Sequence, residues 1–262
     1  RAERFKLGFK GEDKWGNPSH RVDATFTLKS NLPVDGLPQS ITLKPGEYSK
    51  IIEGLSCNSP GDLLIEVRDA ANELVCKSNP LRIVEAAPLK PYWADLHGQS
   101  EETIGTNSAR ELIEFARDRA FLDAMSHQGN DFQITTPFWN ELNKLSREFN
   151  ADGRFVMFPG YEWSGNTGLG GDRNVMFLNE GRQIHRSHHA LIDDLSDVAT
   201  DANSADDLFK MLKDEDCIVF AHIGGRYADI KMSHDARIER SVEVHSDWGT
   251  FEWLVQDAFE QN

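Results

Sequence analysis

An α/β chain is predicted: a partial, TIM-like β/α barrel preceded by a small all-β sandwich. Three observations predict it. Short alternating apolar runs, broken by Gly, Pro and Asn, fill roughly residues 1–87. A proline-bearing stretch, Glu85-Ala-Ala-Pro-Leu-Lys-Pro91, follows and has little that could pack. Beyond it, apolar runs alternate with helical segments, the pattern of parallel strands joined by crossover helices. The predicted domains are therefore 1–87, an immunoglobulin-like β-sandwich, and 88–262, the barrel, incomplete at its C-terminal end.

In the front domain, ATFTLKS places Ala24, Phe26 and Leu28 on one face and Thr25, Thr27 and Lys29 on the other. LLIEVRD does the same with Leu63, Ile65 and Val67 against Glu66 and Arg68. Asp69 to Asn72 turns the chain into ELVCKS, Asn79-Pro80 breaks that run, and LRIVE follows. Trp15, before the turn Gly16-Asn17-Pro18, is expected to pack in the sandwich core or on the turn. In the second domain, Ser108 with Glu111 forms a capping-box pair. Thr136 precedes Pro137 at the start of another helix, and Ser204 stands three residues before Asp207 at a third. Residues 251 to 262 read as a last helix with no strand after it.

Composition narrows the function. The 262 residues carry 43 acidic and 28 basic side chains, a net charge of −15, and that field disfavours a broad nucleic-acid surface. No apolar run approaches the ~20 residues of a membrane span. Of three cysteines, Cys57 and Cys76 could pair, while Cys217 opens an apolar strand where its thiol should be buried and unreactive. No G-x-S-x-G elbow is present, so covalent serine catalysis has no support. The chain begins at Arg1 without Met or a signal-like segment and reads as a fragment or processed product.

Metal-capable side chains recur at the ends of apolar runs: His97 after YWADL, His127 after FLDAMS, Glu162 after MFPGY, His222 after CIVFA, and Glu243 with His245 in SVEVH. In a parallel barrel these ends open on one face, so distant residues converge there. Alternation adds Asp95 and Gln99 to the side of His97. Imidazoles with carboxylates suit Zn, Mn or Fe, and a pair of ions about 3.5 to 4 Å apart activates water for hydrolysis. The expected ligands are Asp95, His97, Gln99, His127, Glu162, His222, Glu243 and His245, with His222 or His245 relaying a proton. The Gly-rich loop 165–174 lies after Glu162 and is expected to carry Asp172 and Arg173 to the mouth, where Arg173 or Arg226 holds a small anionic substrate. His185, His188 and His189 are expected on a solvated loop or surface helix, with accessory metal binding as the alternative.

These motifs carry a resemblance. ADLHGQS resembles the opening DLHxH motif of the polymerase-and-histidinol-phosphatase (PHP) family, AMSHQ its TDH motif, GYEWSG its glutamate-bearing strand and FAHIGG its AHP strand. The resemblance runs from Tyr92 onward. It implies a distorted PHP-type barrel, His97, His127, Glu162 and His222 as ligands, two or three divalent ions when the site is complete, and hydrolysis of phosphate esters. Gln99 stands where a second histidine is expected, Ser126 replaces an aspartate, and no late Asp-x-His follows VEVHSDWG. The alternative is a non-catalytic binding or scaffold protein with a degenerate metal site.

Overall fold

The structure, a computed structural model, describes residues 3–261. The chain divides into two units, Arg1–Pro91 and Tyr92–Asn262.

In the first unit, alternation sets which side chains meet. Its strands are β1 (Arg4–Lys10), β2 (Ala24–Ser30), β3 (Ser40–Leu43), β4 (Ser49–Ser56), β5 (Gly61–Leu63), β6 (Ile65–Arg68), β7 (Leu74–Lys77) and β8 (Leu81–Ile83). They form three antiparallel groups, β1 with β4, β3-β2-β6-β7, and β5 with β8. Leu28, Ile41, Leu63, Ile65 and Val67 fill the core with Cys57. Cys57 is buried, Cys76 is exposed, and both thiols are free. Trp15 is 75% exposed over the Asp13 to Asn17 turn, with Lys14 on its ring. Of its two expected places, the core is corrected: Trp15 lies on the turn closed by Asp13 Oδ1, with its indole exposed.

The second unit is not a barrel, which corrects the predicted fold class. Parallel pairing holds for β9 (Ala94–Gly98), β10 (Ala124–His127) and β11 (Val156–Phe158), where α1 (Ala109–Asp118) and α2 (Thr136–Phe149) supply the crossovers. Ser108 caps α1 through the full capping box, and Thr135, one residue before the expected Thr136, caps α2. Pro159 then separates β11 from β12 (Gly160–Trp163), which opens a second sheet. The loop after β12 is too short for a crossover helix, so β13 (Arg173–Phe177) returns antiparallel to it. After α3 (Ala205–Met211), β14 (Cys217–Ala221) pairs antiparallel to β13, and only β15 (Glu239–Val242) is again parallel. A ribbon, β16 (His245–Ser246) and β17 (Gly249–Thr250), precedes α4 (Trp253–Glu260). A TIM-type β/α barrel needs every strand parallel with a helix between each pair, and the antiparallel β12-β13-β14 run breaks that rule. Among the described residues the chain is thus a set of small sheets with four α-helices.

The segment after β13 is held by polar groups instead of a helix. Arg186 is fully buried, donates to Ile134 O and pairs with Asp197 at 2.6 Å. His189 lies between Asp197 (2.8 Å) and Asp201 (2.9 Å), while His185 bonds Thr200 O and His188 lies against Phe132. Asp131 accepts from the Ser187 N–H and hydroxyl and from the Phe132 N–H.

Burial pushes Asp131 up to about 7, against those donors. A carboxyl raised in the fold binds its proton more tightly folded than unfolded, so its contribution to stability is lost as pH rises from about 4 to about 7. Wild type is therefore expected to gain on Asp131→Asn, which does not titrate, by on the order of a few kcal/mol between pH 8 and pH 5. Urea unfolding at both pH values checks this, and a gap that does not change with pH refutes it.

Candidate metal and anion site

Three side chains from three strand ends converge in the second unit. His97 lies on β9, His222 follows β14, and Glu243 follows β15, where its N–H donates to Ala221 O at 2.9 Å. Their ligand atoms all lie within 4.8 Å of one another. Glu243 Oε2 is 3.0 Å from His97 Nδ1 and 3.0 Å from His222 Nδ1, and the two rings stand 4.3 Å apart. The His222 contact has an ion-pair distance but not the direction of a hydrogen bond. Its Nδ1 is therefore a buried nitrogen with no hydrogen-bond partner among the described residues.

The surrounding charges fit a cation. Burial opposes charge on Glu243, yet His222 and His97 hold its carboxyl down to about 2. Burial likewise opposes charge on His97, but Glu162 and Glu243 on its two nitrogens push its pKa up to about 10. His97 is thus an imidazolium between two carboxylates, and a cation entering here displaces that proton.

Around this centre, Glu162 is buried on β12, 3.5 Å from His97 Nε2 and within 3.3 Å of the Gln99 amide nitrogen. Asn174 lies opposite Glu162 in the β12-β13 register and donates to Glu243 Oε2 at 2.7 Å. Its own Oδ1 is buried without a hydrogen-bond partner among the described residues. Sequence reasoning passed over Asn174. The available signal was a buried-strand amide, in RNVMF, facing the strand that bears Glu162.

Other expected site residues lie elsewhere. Asp95 is exposed and accepts from the His97 N–H. His127 is buried, and burial together with the His97 charge pushes it down to about 3, so it is neutral. Its Nδ1 accepts from the Gly129 N–H, which leaves Nε2 to donate to Ser100 Oγ at 2.8 Å, and Ser100 in turn donates to Glu102. Both nitrogens are thereby engaged away from the cluster. His245 is exposed on β16 and bonds Thr250 Oγ1. Arg173 is fully buried against Glu239 at 2.8 Å and the carbonyls of Gly170, Gly171 and Ser233, so it holds the fold and does not reach a mouth. Asp172, equally buried, is pushed up to about 6 by burial and then by Glu162, against the pull of Arg226. Cys217 is buried and burial raises its thiol to about 11, which leaves it unreactive.

The comparisons bear on this site. A family model described as Protein of unknown function (DUF3604) matches residues 70–222, a span that includes His97, Glu162 and His222 but not Glu243. The chain is similar to uncharacterised proteins of Chlamydia. It is 23% identical over 191 residues to one from Chlamydia pneumoniae, covering 71% of this chain and 30% of that protein. It is 22% identical over 259 residues to one from Chlamydia muridarum, covering 95% and 40%. A Chlamydia trachomatis protein is 20% identical over 255 residues with the same coverage. The chain thus spans less than half the length of these relatives. No solved structure matches. No helix among the described residues is long and apolar enough to cross a membrane.

The PHP resemblance is corrected by these findings, since the family that matches is a different one and the strands form no barrel. Short motifs around strand-end histidines reflect ligand chemistry that unrelated sheets share, and Gln99 and Ser126 already departed from the PHP pattern. Over more than half its length the chain matches the DUF3604 model, and it belongs to that family.

Proposed function

We propose that this unit is a metal-dependent hydrolase acting on a small anionic ester of phosphate, with His97, His222 and Glu243 as the protein ligands of a divalent ion. The observation that carries the reading is the buried Nδ1 of His222, without a hydrogen-bond partner among the described residues and 3.0 Å from a carboxylate oxygen that His97 Nδ1 also approaches at 3.0 Å. Two imidazoles and a carboxylate suit Zn or Mn and leave a coordination position open. A bound ion would supply Lewis-acid activation of water and of the ester oxygen. Asn174 holds Glu243 in place through its amide N–H. Glu162, oriented by Gln99 and lying beside His97, takes the proton of the attacking water. The proton-relay role, expected of His222 or His245, moves to Glu162, because His222 serves as a ligand in this reading and His245 is exposed on the ribbon.

The test is calorimetric titration of chelator-treated protein with Zn and Mn, alongside release of p-nitrophenol from phosphate esters. Wild type is expected to bind at least one equivalent and to cleave, and His222→Ala to lose both. Wild type that binds neither ion refutes the reading. Since three of the eight expected ligands meet in one cluster, a second reading is a scaffold with a single ion. Tight metal binding without cleavage of any ester selects it.

A further inference from the structure

The loop that carries His222 also carries Arg226, whose Nη2 lies 4.0 Å from Glu162, the carboxylate beside His97. Ala228 N–H donates to His222 O at 3.0 Å and closes the loop into a ring. Asp172 fixes that ring at both ends, its N–H donating to Arg226 O (2.8 Å) and its O accepting from the His222 N–H (3.1 Å). Its carboxylate then accepts from the Arg226 N–H (3.2 Å) and Nε (2.7 Å). Gly224 leaves no room for a side chain, because a Cβ there would lie 2.5 Å from Asp172 Oδ2 and 3.1 Å from His222 Nε2. The guanidinium sits over the Phe132 ring at 5.6 Å, and its Nη2 is 4.0 Å from Glu162 Oε1. Among the described residues Nε is its one hydrogen-bonded nitrogen, so Nη1 and Nη2 remain available as donors.

Charge selects what those donors take. Glu162, Asp172 and Glu243 stand against Arg226, leaving two negative charges when the ligating imidazoles are neutral. One divalent ion brings the site to neutrality. A singly charged oxyanion then leaves the site at about −1, whereas a dianion leaves it at about −2, beside the same carboxylates and in a chain already at −15.

We infer that Arg226, fixed by Asp172, binds the substrate's phosphoryl oxyanion, and that the carboxylates around it make the site select monoanionic phosphodiesters over dianionic phosphomonoesters. The inference rests on the metal-dependent hydrolase reading. It is tested at pH 8 on Mn-loaded protein by comparing cleavage of bis(p-nitrophenyl) phosphate with that of p-nitrophenyl phosphate. Metal content and calorimetric binding of diphenyl phosphate are measured alongside. Wild type is expected to favour the diester at least about tenfold in kcat/KM. Arg226→Met is expected to lose at least about tenfold in diester cleavage and diphenyl phosphate affinity at unchanged metal content. Asp172→Asn, which removes one negative charge, shifts the preference toward the monoester. Equal cleavage of the two esters, no cleavage of either by metal-loaded protein, or an Arg226→Met variant that binds diphenyl phosphate as wild type does overturns the inference and leaves the metal centre standing. Failure to bind metal overturns both.

Discussion

Replacing Arg173 by Leu is expected to cost about 3 to 5 kcal/mol of stability, the range for breaking a buried ion pair by removing one partner. Arg173 and Glu239 are both essentially inaccessible to solvent, and their 2.8 Å contact joins the start of β13 to the start of β15. The guanidinium also donates to the carbonyls of Gly170, Gly171 and Ser233; Gly170 O keeps the Asp229 N–H, while the buried carbonyls of Gly171 and Ser233 lose this donor. Glu239 would keep only His234, whose Nδ1 lies 2.8 Å from its other oxygen. The double variant Arg173→Leu with Glu239→Leu should recover part of the loss, because no lone charge remains buried. Urea unfolding of the two variants decides the matter. A shift below about 1 kcal/mol for the single variant would show that Arg173 does not anchor the second sheet.

Glu243→Gln should weaken metal binding by at least about 100-fold, beyond the ten- to hundredfold typical of a supporting outer-shell group. Its carboxyl, held down to about 2, is ionised across the working pH range and contributes the anionic ligand of the cluster. A neutral amide removes that charge and turns a donor toward two imidazole nitrogens 3.0 Å from the original oxygen. His245→Ala is the informative comparison, since the same short segment supplies it and sequence alternation groups it with Glu243. Exposed and bonded to Thr250, it should leave affinity unchanged within about twofold. Equal losses in the two variants would mean that the cation sits elsewhere, between β15 and the ribbon.

Much of the local architecture was legible because it depends on neighbours in sequence. The capping box at Ser108 follows from residues three apart, and the inward faces of ATFTLKS and of Leu63 to Val67 follow from a two-residue period. That His97, Glu162, His222 and Glu243 stand at or next to strand ends was likewise readable, from where the apolar runs stop. Arg173 was misread for a definite reason. A glycine-rich loop before an arginine suggests a mouth, but Gly170 and Gly171, with positive φ, fold their carbonyls back onto the guanidinium and draw it inside.

The sequence by itself determined which segments alternate or turn and which side chains could serve as ligands. Those are properties of residue type and short spacing, and a chain cannot avoid them. Only the tertiary structure decided that β12, β13 and β14 run antiparallel and so form no barrel. It also decided that His127 turns to Ser100, that Asn174 comes in to hold Glu243, and that Asp172 holds Arg226 by its Nε. Strand direction and hydrogen-bond partners between separate elements are chosen by competition among all possible pairings for the same buried space, and no local window contains that competition.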